Sequence, residues 1–227
     1  MPFFFWDSTM LLLIPALLFA LAAQWKVKST FKKYSKIPSK SGVSGSQIAK
    51  SLLERNNITD VEVEEIQGNL TDHYDPKARK VRLSSLNFNG SSVASIGVAA
   101  HEVGHAIQDN TDYTPLKLRH AFYPVARLGS TTWIWLFLAG MILAIPQLID
   151  VGIVLFAATL IFQLVTLPVE FNASKRALAQ LDSGGYITRE DSEGAKAVLN
   201  AAAMTYVAAA AVAASQLVRL LILRQRH

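Results

Sequence analysis

Residues 8–25 (STMLLLIPALLFALAAQW), 128–149 (LGSTTWIWLFLAGMILAIPQLI) and 151–169 (VGIVLFAATLIFQLVTLPV) contain no charged side chain. Each approaches the ~20 apolar residues that a helix needs to cross a bilayer core. Inside lipid the backbone must satisfy its own hydrogen bonds, so such runs fold as helices. A fourth uncharged run, 197–218, is alanine-rich and has weaker hydropathy. The whole chain is 51% hydrophobic and only 17% charged, too apolar for an ordinary soluble domain. The sequence therefore predicts an α-helical multi-pass membrane protein.

The first run reads as a retained transmembrane helix, 1–25, with Pro2 to Trp6 extending its apolar character past Asp7. A signal peptide would carry a basic stretch ahead of the apolar core, and none is present. Trp25 and the lysines at 26, 28, 32 and 33 instead form an interfacial belt and a cytoplasmic anchor. The net charge of +5 comes largely from residues flanking the apolar runs. It suits lipid headgroups and membrane topology, with the lipid bilayer as partner, and no nucleic-acid motif accompanies it. Lysines 26–40, then Lys117, Arg119 and Arg127, then Lys175 and Arg176 all fall on one side of the predicted spans, the cytosolic side. Arg219, Arg224 and Arg226 contradict the pattern if the last run spans.

Between the spans, 26–127 has the composition of a water-exposed domain. Ser44 or Ser46 caps a helix reaching Arg55, with Ile48, Leu52 and Leu53 on one side. Val61 to Ile66, Leu70 to Tyr74 and Lys80 to Ser84 alternate as strands, with turns at Gly68-Asn69 and Asp75-Pro76-Lys77. A short antiparallel sheet followed by a helix is expected. The membrane hairpin, 128–169, turns near Pro146 and Asp150. A helix over 170–187 follows, breaking at Gly184-Gly185. Thr188 with Glu190, Asp191 and Glu193 starts the final helix, 188–227, a fourth membrane segment.

The most specific chemistry lies in His101-Glu102-Val103-Gly104-His105, inside SSVASIGVAAHEVGHAIQDN. Residues four apart on a helix share a face, so His101 and His105 aim two imidazoles at one point. Two such nitrogens make half of a zinc site. Glu102 lies beside the first ligand, where a carboxylate takes a proton from an attacking water. Two core histidines are the rival reading. The small residues around them (Gly97, Ala100, Gly104) and the turn at Asn89–Ser92 favour a tightly buried active helix. The chain has no cysteine, so a third ligand must be His or a carboxylate. Glu170, His73, His120, Asp109 and the acids at 190–193 are candidates. Glu170 stands where the hairpin returns to the domain, one helical turn before Ser174.

Segments 70–84 (LTDHYDPKARKVRLS), 92–108, 167–178 (LPVEFNASKRAL) and 201–221 together resemble the membrane zinc metallopeptidases of the YugP type. More broadly the chain is similar to gluzincins, in which a downstream glutamate completes the His-Glu-x-x-His site. The resemblance implies a bacterial cell-membrane protein with a small cytosolic α+β, zincin-like catalytic domain. It implies Zn2+ held by His101, His105 and Glu170, Glu102 as general base, and a peptide or protein substrate. It also implies backbone pairing between substrate and the strand near Lys80–Ser84. Related membrane gluzincins often carry aspartate four residues after the third ligand; Ser174 stands there in this chain. Tyr74, His73, His120 and Arg176 are candidate oxyanion donors. A non-catalytic zinc-binding membrane scaffold is the alternative function.

Overall fold

The computed structural model describes residues 8–226. The apolar stretch Pro2–Trp6 and Asp7 lie outside them. The fold is mostly helical, with four long apolar helices and a small three-stranded mixed sheet. A 3-10 turn at Ser8–Leu12 leads into α1 (Ile14–Tyr34). Then come α2 (Gly45–Arg55), β1 (Glu62–Ile66), β2 (His73–Asp75), β3 (Lys80–Ser84), α3 (Ser85–Asn89) and α4 (Val93–Asn110). The chain ends with α5 (Thr114–Leu143), α6 (Pro146–Ser183) and α7 (Arg189–Gln225). By length and composition, the stretch Ser8–Tyr34 and helices α5, α6 and α7 could each cross a membrane.

The chain forms two compact units, and the division falls inside these long helices. The first unit comprises the described part of Met1–Gln24, Lys117–Leu167 and Met204–His227. Its core packs Phe137, Ile149, Ile153 and Phe156 with Leu220 and Leu223 of α7. Gly152 lets α6 lie against the backbone of Trp133 and Phe137. The hairpin turns at Ala144–Ile145. Ala144 adopts a φ of 54°, and the Ile145 N–H donates to the Gly140 carbonyl, closing α5. Pro146 then opens α6, where its missing N–H costs nothing. Asp150, expected in the turn, lies within α6 and accepts two bonds from the Arg224 guanidinium, at 2.8 and 3.1 Å.

The second unit comprises Trp25–Leu116 and Pro168–Ala203. The Ser44 hydroxyl accepts from the Gln47 N–H while the Gln47 side chain accepts from the Ser44 N–H. This reciprocal cap stabilises α2 by about 1 kcal/mol. Ile48, Leu52 and Leu53 then meet Ile96, Ala99 and Val103 of α4 in the core, with Val81 and Leu83 of β3. Ser92 caps α4 by accepting from the Ser95 N–H. The final helix opens with a similar device: Thr188 accepts from Asp191, and Asp191 accepts from Thr188 and from the Lys40 N–H.

The sheet corrects the expected antiparallel arrangement. Its order is β1-β3-β2, with β1 parallel and β2 antiparallel to β3. β3 carries the fully buried Val81 and Leu83 and so takes the centre. β1 reads Glu-Val-Glu-Glu-Ile, and its charges suit an edge. The connection from Gln67 to Arg79 is long enough for the crossover that a parallel pair needs, and it holds β2 on the way. Nor does the segment after Glu170 form a helix of its own. It is the last part of α6, which ends where Gly185 takes a φ of 67°.

Candidate metal centre

α4 is buried on nearly every side, as its small residues demand, and this brings it very close to α6. At Gly104 an added Cβ would lie 2.6 Å from the Ala173 carbonyl oxygen. That crossing places Glu170, one turn before Ala173, against the two histidines. Glu170 Oε2 lies 3.3 Å from His101 Nε2 and 3.6 Å from His105 Nε2. Ligand atoms from all three residues fall within 4.8 Å of one another, and this is a metal-capable group among the described residues. The imidazoles meet edge to face, 82° apart in plane.

The donor set fits zinc. Zinc bonds of about 2.05 Å in a tetrahedron separate neighbouring ligands by about 3.3 Å, close to both histidine–glutamate distances. Two imidazoles and one carboxylate match the donors of known catalytic zinc sites. Glu170 is 2% exposed, so its charge sits away from water beside two ring nitrogens, where a divalent cation would balance it.

The other nitrogen of each ring is held in place. His101 Nδ1 hydrogen-bonds Ser174 Oγ at 3.2 Å. Ser174 thus occupies the supporting position, but its partner is a histidine rather than Glu170. His105 Nδ1 meets the side-chain oxygen of Gln108 at 3.0 Å. Such partners fix ring orientation and raise ligand affinity. Sequence reasoning missed Gln108, although its place three residues after His105 on a helix put the two side chains within reach.

Glu102 is 7% exposed, and burial pushes its carboxyl up to about 7. The neighbouring His101 pulls it down and Glu170 pushes it up.

The remaining sequence candidates are accounted for elsewhere. Asp109 accepts from the Tyr74 hydroxyl at 2.8 Å and from Arg79 at 2.6 Å. Burial, then Asp109, raises the Tyr74 phenol far above its ordinary value, so it stays protonated. His73 Nδ1 lies 2.8 Å from the Thr71 carbonyl, on an exposed ring. Asp191 caps α7, and Glu190 pairs with Lys40. Arg176 donates to Asn172 and lies over the Tyr113 ring. His120 falls in the first unit. β3 is paired on both sides, so backbone pairing of a peptide to that strand is not available at Lys80–Arg82.

The chain is 50% identical over 208 residues to the protein named "Putative membrane protease YugP" of Bacillus subtilis (strain 168), covering 92% of each chain. No solved structure matches it. The family described as "Putative neutral zinc metallopeptidase" matches residues 9–225, nearly the whole chain, and the protein belongs to that family.

Proposed function

We propose that the protein is a membrane-anchored zinc metallopeptidase that cleaves peptide bonds at the cytoplasmic face, with Glu102 as general base. The observation that carries this reading is the convergence of His101, His105 and Glu170 at zinc-like spacing, with Glu102 buried next in sequence to His101. When bound, zinc supplies Lewis acidity and brings the pKa of water towards neutrality. His101, His105 and Glu170 would hold it. Glu102 takes a proton from the attacking water and delivers it to the leaving amine. Burial raises this carboxyl above the usual carboxylate range, which favours its taking up a proton.

The cytoplasmic assignment is supported by the lysines that follow the first apolar run and by Lys175 and Arg176 beyond Glu170. A structural, non-catalytic zinc site would normally be closed by four protein ligands, whereas this group contains three. The test is Glu102→Gln in the purified, detergent-solubilised protein. Zinc content should stay at the wild-type level while cleavage of a casein or peptide substrate is lost. Undiminished cleavage would remove Glu102 from its role, and absence of zinc from the wild type would remove the site.

A further inference from the structure

Gln108 is 0% exposed and lies at the middle of a hydrogen-bond chain whose direction is fixed from both ends. At one end, the Arg176 guanidinium can only donate, and its Nε lies 2.8 Å from the Asn172 side chain. Asn172 must therefore present its oxygen. Gln108 meets that same oxygen at 3.0 Å and the Val169 carbonyl at 2.8 Å. Both are acceptors, so Gln108 turns its NH2 towards them and its oxygen towards His105. The His105 Nδ1, 3.0 Å away, then carries the proton of the neutral ring, and Nε2 offers its lone pair on the Glu170 side, where a metal would bind.

We propose that Gln108 is a positioning residue of the metal centre, selecting the metal-binding tautomer of His105 and tying it to α6 at Val169, the residue before Glu170. One amide thereby sets the ring of one ligand and the backbone beside another. This rests on the reading of the site as a zinc centre. Arg176 acts at the far end: it holds Asn172, which keeps Gln108 from reversing.

Two variants test the chain of bonds. Gln108→Leu has similar bulk and no polar group. It should bind zinc about 10–100-fold more weakly than wild type in competition with a chelator, as for other residues that orient a ligand. In the zinc-loaded protein, 15N NMR of labelled histidine should show a hydrogen-bonded His105 Nδ1–H in wild type and a shifted signal in the variant. Arg176→Met is only half-buried and should fold even if the first variant does not. Removing a cation near a cation site would strengthen zinc binding by Coulomb attraction alone; loss of the orientation should weaken it severalfold. Wild-type zinc affinity in Gln108→Leu, an unchanged His105 Nδ1–H signal, or tighter zinc binding in Arg176→Met would each overturn the positioning role and leave the zinc site standing. A wild type that binds no zinc would overturn both.

Discussion

Gly104 and Ala173 mark the closest approach of α4 to α6: a Cβ at Gly104 would stand 2.6 Å from the Ala173 oxygen and 3.1 Å from its carbonyl carbon. Because the obstacle is backbone, it cannot swing aside. The glycine inside the histidine motif is therefore what permits Glu170 on α6 to reach His101 and His105 on α4. Gly104→Ala should push the helices apart, lowering stability by about 1–3 kcal/mol and releasing zinc. Metal analysis together with thermal unfolding checks this. A variant that keeps wild-type zinc affinity would show that the crossing can relax without cost to the site.

Ser174 supports the other histidine. Ser174→Ala removes the bond to His101 Nδ1 and little volume, so the fold should persist. Zinc affinity should fall by about 10-fold or more. Because a ligand that binds only the folded state raises its melting temperature with affinity, the zinc-induced rise in Tm should shrink. An equal rise in both proteins would leave Ser174 without a supporting role.

The site was more legible in the sequence than the sheet was. His101, Glu102 and His105 announce themselves because a helix repeats every 3.6 residues, which turns spacing into geometry. Tracing the hairpin back to the domain makes Glu170 one candidate among several, and the resemblance to gluzincins singles it out. Gln108 was passed over because an amide three residues from a histidine is common, and only its partners on α6 give it meaning. Strand positions could be read from alternation, as at Val81 and Leu83, but pairing direction depends on which strand needs burial on both sides. That is a property of the whole unit. The hairpin turn stands directly before Pro146, as expected; only Asp150 falls outside it, within α6, where Arg224 far along the chain is its partner.

Acid should loosen the sheet before it disturbs the rest of the second unit. Hydrogen bonds from Arg79 hold the Asp60 carboxyl below its usual range, and Lys80 and then Arg82 do the same for Glu64. The Ala78 N–H and then Arg82 lower Asp75. A depressed folded-state pKa means that the stabilisation is fully present above the unfolded value, about 4 for these groups. It is lost as pH falls through the lower folded values. The pairs lie at the surface and remain in contact with water, so each contributes little, and salt should weaken them. Unfolding followed between pH 5 and pH 2 should show stability falling below about pH 4. Asp60→Asn should flatten that fall, and an identical slope in the variant would separate it from the Arg79 contact.

The arginines near the end of α7 pose the hardest topological question, because Arg219, Arg224 and Arg226 sit where positive charge is disfavoured if α7 spans. α7 is one unbroken helix of 37 residues, about 55 Å long at 1.5 Å per residue, far more than a hydrocarbon core of about 30 Å. Two of the three arginines have partners within the first unit: Arg224 meets Asp150 near the start of α6, and Arg219 donates to Thr9 at 3.2 Å. Arg224 thereby trades an isolated charge for a pair with the hairpin, which lowers the cost of holding it on the outer side. The last helix is therefore expected to cross completely, with its end on the same side as the hairpin turn. The absence of cysteine makes the test direct. In intact cells a membrane-impermeant thiol reagent should label Gln147→Cys and Arg226→Cys and leave Ser41→Cys unlabelled. Labelling of Ser41→Cys with protection of Arg226→Cys would place both the histidine helix and the chain end on the opposite faces from those proposed.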